Sequence, residues 1–150
     1  MVYELINTDS DLERAYVFVR DNEHLLPDPL SSHVDIMSYC QKLLSLGRVF
    51  VFEETDDIQG ICMGYINDSQ TFISHLQVLI VQSSEQHKGI GKELVRFFID
   101  ESQKAGMKKI QLTCDLDNHK ARAFYESIGF AHSNIMHPNP YKLFLDYVLD

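Results

Sequence analysis

The 150-residue sequence lacks the features of several specialised protein classes. Its cysteines, Cys40, Cys62 and Cys114, are odd in number, far apart and outside any C-x-x-C pattern, which favours reduced, buried thiols. No apolar run approaches the roughly 18 residues of a membrane span, and residues 1–13 lack the basic and apolar regions of a signal peptide. We therefore expect a cytoplasmic protein without membrane contact.

Basic charge is also scarce. Thirteen lysines and arginines stand against 22 acidic residues, a formal net charge of −9. Because so acidic a protein is generally repelled by phosphate backbones, we predict no nucleic-acid partner and favour a neutral or cationic substrate. His119, His132 and His137 are not spaced as ligands of one ion, so no metal is predicted.

The chain has no internal repeat, low-complexity tract or linker, which favours one domain over residues 1–150. Hydrophobic periodicity and turn residues predict the order β-α-α-β-β-β-α-β-α-β-β. This order indicates an α+β (mixed α/β) fold, with a mostly antiparallel sheet of about six or seven strands, about four flanking helices and at least one parallel crossover. The predicted strands are 2–7, 48–54, 59–68, 71–81, 108–114, a short one after Gly129, and 141–149. The predicted helices are 8–22, 31–47, one closed by residues 104–106, and 117–129.

Gly89 and Gly91 lie at the start of a strongly amphipathic predicted helix, in the stretch SSEQHKGIGKELVRFF, residues 83–98. Glycine inside a helix costs up to about 1 kcal/mol relative to alanine. The two glycines therefore indicate either a tight turn or backbone that another group must approach closely. The amides of a helix N-terminus attract phosphate, and Lys88 and Lys92 add local positive charge.

Two familiar phosphate-binding patterns do not fit this stretch. The Walker pattern needs a glycine where Gln86 stands and a hydroxyl where Glu93 stands. The dinucleotide-binding pattern needs a glycine where Leu94 stands. Neither kinase nor nicotinamide chemistry is therefore supported.

The stretch DNHKARAFYESIG, residues 117–129, predicts a capped helix, and three of its residues identify one face. Asn118, Ala121 and Tyr125 are spaced i, i+3 and i+7 and so share that face. Asn118 can cap the helix or reach a ligand, and Tyr125 carries a phenol in the same direction. Tyr125 equally fits the role of a half-buried core aromatic.

The two motifs occur in order, each after a strand. LIVQSSEQHKGIG followed by NHKARAFYESIGF resembles the GNAT superfamily of acyl-CoA-dependent N-acetyltransferases, and the resemblance covers roughly residues 48–132. It implies a GNAT-like fold and acetyl-CoA as the acyl donor. It also implies transfer of the acetyl group to a primary amine of a small molecule, by direct attack in a ternary complex.

The resemblance further implies a cofactor site. The pyrophosphate of CoA would rest on the amides of the turn from Gln86 to Lys92. Pantetheine would pair with the strand 71–81 as though it were an added strand, which requires a bulge or a splay there. The implied cofactor-binding residues are Leu79, Ile80, Val81, Gln86, His87, Lys88, Gly89, Ile90, Gly91, Lys92 and Asn118.

For catalysis, the resemblance implies that Tyr125 hydrogen-bonds to the departing CoA thiolate or protonates it. A backbone N–H near Leu79 would stabilise the oxyanion. Many members use a carboxylate on the long strand as general base, but residues 71–81 contain none. His75 is the one group there that titrates near neutrality, and simple alternation places it on the face of Gln77 and Leu79. A water chain or an amine that arrives deprotonated is the alternative.

The sequence leaves the acceptor amine unspecified. The segment 24–44 matches the region that shapes the acceptor pocket, with Pro27, Pro29 and Ser31 expected at its border. The missing strand carboxylate leaves a second hypothesis, a CoA-binding sensor or interaction domain of GNAT fold without catalysis. The apolar strand 141–149 could pair with a second copy to form a homodimer.

Overall fold

The computed structural model describes residues 1–86 and 88–150. These residues contain seven strands and four α-helices. The strands are β1 (Val2–Glu4), β2 (Arg48–Glu54), β3 (Asp57–Tyr65), β4 (Ile73–Val81), β5 (Lys109–Asp115), β6 (Ala131–His132) and β7 (Lys142–Val148). The helices are α1 (Asp9–Asn22), α2 (Ile36–Leu46), α3 (Ile90–Lys104) and α4 (His119–Ile128).

The strands form one sheet in the order β1-β2-β3-β4-β5-β7-β6. Within the described residues, β4 and β5 pair in parallel and every other neighbouring pair is antiparallel. The crossover between β4 and β5 contains α3, as a parallel connection requires. The predicted element order and the mainly antiparallel sheet are confirmed.

Local signals explain the element boundaries, including two that the sequence reading missed. The predicted helix over 31–47 begins instead at Ile36, because the Asp35 side chain accepts a hydrogen bond from the Ser38 amide at 2.9 Å and caps it. The strand predicted to start at residue 59 starts at 57. Thr55 and Asp56, with φ of 52° and 66°, alone make the tight turn of the β2–β3 hairpin.

The sheet separates two apolar clusters, one under α3 and α4 and the other under α1 and α2. Along β4, Leu76, Leu79 and Val81 belong to the first cluster, whereas Val78 and Ile80 belong to the second. These two sides of the sheet are called the α3/α4 face and the α1/α2 face below. Leu76 and Leu79 thus share a face although they are three residues apart, which a regular strand does not allow.

A β-bulge in β4 causes this change of face. Met63 of β3 pairs with Val78 and the next residue, Gly64, pairs with Leu76, so Gln77 has no partner. A Cβ on Gly64 would overlap the carbonyl oxygen of His75 and lie 2.9 Å from the Phe98 ring. Only glycine therefore fits opposite the bulge.

The bulge corrects one prediction about His75. His75 pairs with Tyr65, which packs against the α1/α2 cluster. His75 therefore lies on the α1/α2 face, and the prediction that it shares a face with Leu79 is wrong. The extra residue, Gln77, reverses the alternation between them.

Beyond the bulge, β4 and β5 separate. Their parallel pairing joins only residues 73–75 to residues 109–111. The C-terminal halves of the two strands are not paired with each other, so a cleft opens between them. Both the bulge and the splay that pantetheine binding would require are present. Because α3 follows β4 and α4 follows β5, both helix N-termini lie at the open end of this cleft.

The cysteines are buried and unpaired, as predicted. Burial raises the pKa of the Cys40 thiol to about 11 and also raises the pKa values of Cys62 and Cys114. All three are therefore neutral thiols at physiological pH. No helix in the described part of the chain is long and apolar enough to cross a membrane.

Candidate active site

The cleft between β4 and β5 widens into a cavity of about 920 Å³. It brings together residues from both sequence motifs, which lie on α3 and α4. The predicted site residues that line it are Leu79, Val81, Gln86, Gly89, Ile90, Gly91, Lys92, Asn118 and Tyr125. The connection between α1 and α2 lines the same cavity, through Leu25, Leu26, Pro27, Asp28 and Leu30.

The N-terminus of α3 is open to this cavity. Thr8, Asp35 and Asn118 cap the other three helices with their side chains, but α3 begins at Gly89 without a side-chain cap. Gly89 has φ +84°, and a Cβ there would meet nothing within 4 Å. Glycine is thus needed for the left-handed conformation. The first-turn amides of α3 stay available to an anion.

Glycine is needed at position 91 for a different reason. A Cβ at this position would lie 3.3 Å from Cζ of Phe124 and 3.5 Å from Cγ2 of Val81. A side chain would therefore fill the gap between β4 and α4. The tight turn thus explains Gly89, whereas at Gly91 the close neighbours are Phe124 and Val81 of the chain itself.

Positive charge accompanies the helix N-termini. Lys92 on α3 and Lys120 on α4 line the cavity, and neither forms an ion pair with a described acidic side chain. Lys88 does not line the cavity and pairs with Glu85 at 2.9 Å. Gln86 donates a hydrogen bond to the Val81 carbonyl at 3.2 Å, which holds the turn against the end of β4. His87 lies outside the described residues.

Tyr125 lines the cavity and packs against the α3/α4 cluster. Its ring packs against Phe124 and Phe130, with centroid distances of 5.1 and 5.5 Å. Burial raises the pKa of Tyr125 above its ordinary value of 10.0, so the phenol remains protonated at neutral pH. The hydroxyl has no hydrogen-bond partner within residues 1–86 and 88–150, which leaves it free to donate to a ligand. Asn118 accepts from the Ala121 amide at 3.1 Å and caps α4.

Two predicted residues lie near the cavity but do not line it. His75 is half-buried on the α1/α2 face and pairs with Gln111 at the last paired position of β4 and β5. Ile80 is 2% exposed and packs in the α1/α2 cluster. Ile80 can therefore offer a ligand only its backbone.

Several lining residues were missed by sequence reasoning. Thr113 and Asp115 of β5 and Lys142 of β7 line the cavity; no local motif marks them, because the pairing of β5 with β7 brings them there. Lys142 forms an ion pair with Asp115 at 3.3 Å. Pro27 lines the cavity as predicted, whereas the predicted Pro29 does not.

The α1–α2 connection also contributes a carboxylate. Asp28 accepts hydrogen bonds from His33 and Ser32, and its pKa is lowered mainly by His33 and, to a smaller extent, by the charge of Lys142. Ser31, predicted at the border of the cavity, instead bonds to Glu23. In the part of the chain that the structure describes, no group of three or more His, Cys, Asp or Glu could hold a metal ion.

Comparison with known proteins gives matches in sequence and in structure. Over 88 residues, 57% of this chain, the sequence is 35% identical to mycothiol acetyltransferase from Renibacterium salmoninarum, a match that spans 26% of that protein. The chain covers less than half the length of the curated relatives it matches. The ribosomal-protein-S18-alanine N-acetyltransferase from Escherichia coli has the same fold, with TM-score 0.77, 19% identity and coverage of 99% of this chain and 92% of that one. The PaiA N-acetyltransferase from Thermoplasma acidophilum, in complex with coenzyme A, gives TM-score 0.74 and 17% identity, covering 99% and 98%.

A family model extends the match beyond the two motifs. The model of the Acetyltransferase (GNAT) family matches residues 11–130. That range includes most of α1, all of α2, the cleft, and both helices whose N-termini open onto it. The chain therefore belongs to the acetyltransferase (GNAT) family.

Proposed function

We propose that this protein transfers the acetyl group of acetyl-CoA to a primary amine by direct attack in a ternary complex. The observation that carries the proposal is that one cavity is lined both by a helix N-terminus without a side-chain cap, at Gly89, and by Tyr125, whose protonated phenol has no partner among the described residues. The first suits a phosphate and the second suits a leaving thiolate. Family membership and the splayed strands support the same function.

The lining fits coenzyme A. The amides of Ile90, Gly91 and Lys92 form the uncapped first turn of α3 and would bind the pyrophosphate. On the side of β5, the part of β4 beyond His75 pairs with none of the described strands, so its free amides and carbonyls on that side would pair with the pantetheine amides. Lys120 adds charge for a further phosphate. When bound, acetyl-CoA supplies an acyl thioester that an amine can attack.

Tyr125 acts at the leaving group. A thiol has a reference pKa near 8.5, and the phenol of Tyr125 is protonated well above neutral pH. The phenol therefore donates a hydrogen bond to the sulfur as the carbon–sulfur bond breaks, and keeps its proton because it is a weaker acid than the thiol. The sulfur leaves as a thiolate, and the proton lost by the amine passes to solvent.

His75 acts on the side of the amine. The bulge places His75 on the α1/α2 face, while Tyr125 packs on the α3/α4 face. An amine that approaches from the α1/α2 face would lose its proton to His75, directly or through one water, as its nitrogen bonds to the carbonyl carbon. The α1–α2 connection, with Pro27 and Asp28, borders that approach.

Thiol release tests the function. Purified protein and acetyl-CoA are combined with alkylamines, amino acids, polyamines, aminoglycosides, amino sugars and a peptide with an N-terminal alanine, and free thiol is measured. Turnover with any acceptor above the rate of hydrolysis supports the proposal. The melting temperature with and without acetyl-CoA is measured in parallel. Stabilisation without turnover favours the non-catalytic CoA-binding domain, and no stabilisation contradicts both hypotheses.

A further inference from the structure

Glu85 is a carboxylate at the end of the cavity that suits an anion. It lines the cavity between β4 and β5 together with Gly89, Gly91 and Lys92, which belong to the N-terminus of α3 that has no side-chain cap. A carboxylate beside a phosphate raises the free energy of the bound state, because like charges repel. Glu85 therefore opposes the anion that the helix N-terminus attracts.

Hydrogen bonds on both sides of Glu85 hold it in this place. Residues Ser83–Glu85 form a single 3₁₀ turn, and the Glu85 amide donates to the Gln82 carbonyl at 2.9 Å. The next residue, Gln86, donates from its side chain to the Val81 carbonyl at 3.2 Å. The Glu85 side chain is 19% exposed, so its charge is screened less than that of a fully exposed carboxylate.

Lys88 neutralises Glu85 from outside the cavity. Its Nζ lies 2.9 Å from Glu85 Oε2, and its side chain is 62% exposed and does not line the cavity. The resemblance to the GNAT superfamily implied a direct contact between Lys88 and the pyrophosphate of CoA. The ion pair offers a different route, because an ammonium beside a carboxylate reduces the repulsion that the carboxylate exerts on a nearby anion.

Five other charged side chains line the same cavity, namely Asp28, Lys92, Asp115, Lys120 and Lys142. The positive charge of Lys142 acts on both of these aspartates, since it pairs with Asp115 at 3.3 Å and lowers the pKa of Asp28. These three groups therefore largely offset one another.

Lys92 and Lys120 provide the positive charge at the two helix N-termini. Neither forms an ion pair with a described acidic side chain. Glu85 subtracts from the positive potential that these lysines create, and the pairing with Lys88 restores part of it. The net attraction for an anion thus depends on whether Glu85 is neutralised.

We propose that Glu85 lowers the affinity of the cavity for CoA, and that Lys88 raises this affinity by neutralising Glu85 rather than by binding a phosphate. Lys88 is then a residue that acts through Glu85. The inference rests on the proposed function, because the anion concerned is the pyrophosphate of CoA. Since a weaker complex generally dissociates faster, Glu85 also favours the release of product CoA.

Calorimetric titration with CoA tests the inference without turnover. Glu85→Gln keeps the size of the side chain and removes its charge. We expect the Kd of CoA to fall at least about threefold, the factor for two unit charges about 6 Å apart in a water-like dielectric. Lys88→Gln should raise the Kd in the wild-type background and leave it nearly unchanged in the Glu85→Gln background. Melting temperatures without CoA verify that every variant is folded.

The chain offers a matched lysine–glutamate pair away from the cavity. Lys104 pairs with Glu101 at 3.2 Å near the end of α3, with the same sequence spacing and the same 19% exposure of the carboxylate side chain. Lys104→Gln should therefore leave the Kd of CoA at the wild-type value. Glu13→Gln, exposed on α1, controls for the change in net charge.

Salt adds a readout that a purely structural role of Glu85 would not change. Raising the ionic strength from about 0.01 to about 1 M shortens the Debye length from about 30 to about 3 Å. The difference in Kd between wild type and Glu85→Gln should shrink accordingly. A difference that is independent of salt would assign the effect to a change of structure and would contradict the inference.

Two further results would overturn the inference: a Kd in Glu85→Gln equal to or above that of wild type, or an equal effect of Lys88→Gln in both backgrounds. The second result would show that Lys88 binds the phosphate directly. Titration with inorganic pyrophosphate separates the inference from the proposed function. If pyrophosphate binds with the expected dependence on Glu85 and CoA does not bind, the proposed function fails and the role of Glu85 stands. If CoA binds without that dependence, only the inference fails.

Discussion

His75 and Gln111 form the last paired position between β4 and β5. Immediately beyond them the strands separate, and the bulge at Gln77 leaves His75 on the opposite face from Leu79. Tyr125 packs on the face of Leu79. The candidate base and the candidate hydrogen-bond donor to the sulfur thus lie on opposite sides of the point where the strands part. This arrangement suits direct transfer, because the amine arrives on one side and the thiol leaves on the other.

Replacement of Tyr125 by Phe should lower kcat by about 10²-fold or more while the Kd of acetyl-CoA stays near wild type. The hydroxyl has no protein partner in the described residues, so the melting temperature should also change little. Steady-state kinetics with an identified acceptor and calorimetry with acetyl-CoA make the comparison. Tyr147→Phe, in the same aromatic stack next to Phe130, is the control and should retain kcat. A wild-type kcat in Tyr125→Phe would reduce Tyr125 to a packing role.

The raised pKa of Tyr125 predicts the alkaline side of the pH–rate profile. Burial opposes the phenolate, so the protonated donor persists above pH 10.0, the ordinary value for tyrosine. We therefore expect that ionisation of Tyr125 lowers kcat nowhere between pH 8 and about 10. Wild type and Tyr125→Phe should have pH–rate profiles of the same shape over this range. Rates measured across this range in both proteins check the direction of the pKa shift. A falling limb below pH 10 present only in wild type would contradict the burial argument.

His75→Gln should lower kcat/KM at neutral pH by about 10²-fold or more. The loss should be smaller with an acceptor amine that is largely deprotonated in solution, because such an amine needs no base. Steady-state kinetics with acceptors of differing basicity make the comparison. His24→Gln, exposed after α1, serves as the control. Equal kcat/KM values for wild type and His75→Gln would favour an amine that is already deprotonated, or a water chain.

Gly89 and Gly106 offer a matched test of the phosphate site. Both have positive φ, +84° and +79°, and a Cβ on either meets nothing within 4 Å. Alanine should therefore destabilise each by a similar amount, about 1 kcal/mol, through backbone strain. Only Gly89→Ala should raise the Kd of CoA, by about tenfold, since its methyl group projects at the uncapped start of α3. Equal CoA affinities in the two variants would show that the pyrophosphate of CoA does not bind at this turn.

Gly64→Ala tests the bulge. The new methyl group would overlap the His75 carbonyl and contact the Phe98 ring, so we expect a loss of about 1–3 kcal/mol in the free energy of unfolding. Turnover should fall further than the folded fraction does, because His75 loses its position. Gly60→Ala on the same strand meets chiefly side-chain ends, Cδ1 of Leu94 and Cγ2 of Ile90, and should be milder. Urea denaturation and turnover at a temperature where both variants are folded provide the comparison.

Local chemistry made much of this protein predictable. Asn118 caps α4 and Gly89 begins α3 because of their own side-chain and backbone properties. The order of the elements follows from periodicity, so the mixed sheet and its parallel crossover could be inferred. The two motifs could be assigned to the N-termini of two helices that follow neighbouring parallel strands. The resemblance to the GNAT superfamily then implied a cofactor site between them, which stays a prediction.

By itself, then, the sequence determined the family, the order of the elements and the residues at both helix starts. Only the tertiary structure decided the face of His75, because a bulge exists only relative to the neighbouring strand. It also decided that Asp115 meets Lys142, since the antiparallel register of β5 and β7 joins residues that no local pattern connects. Periodicity depends on neighbours along the chain, whereas bulges, splays and cavities depend on which strands pair and where the pairing stops.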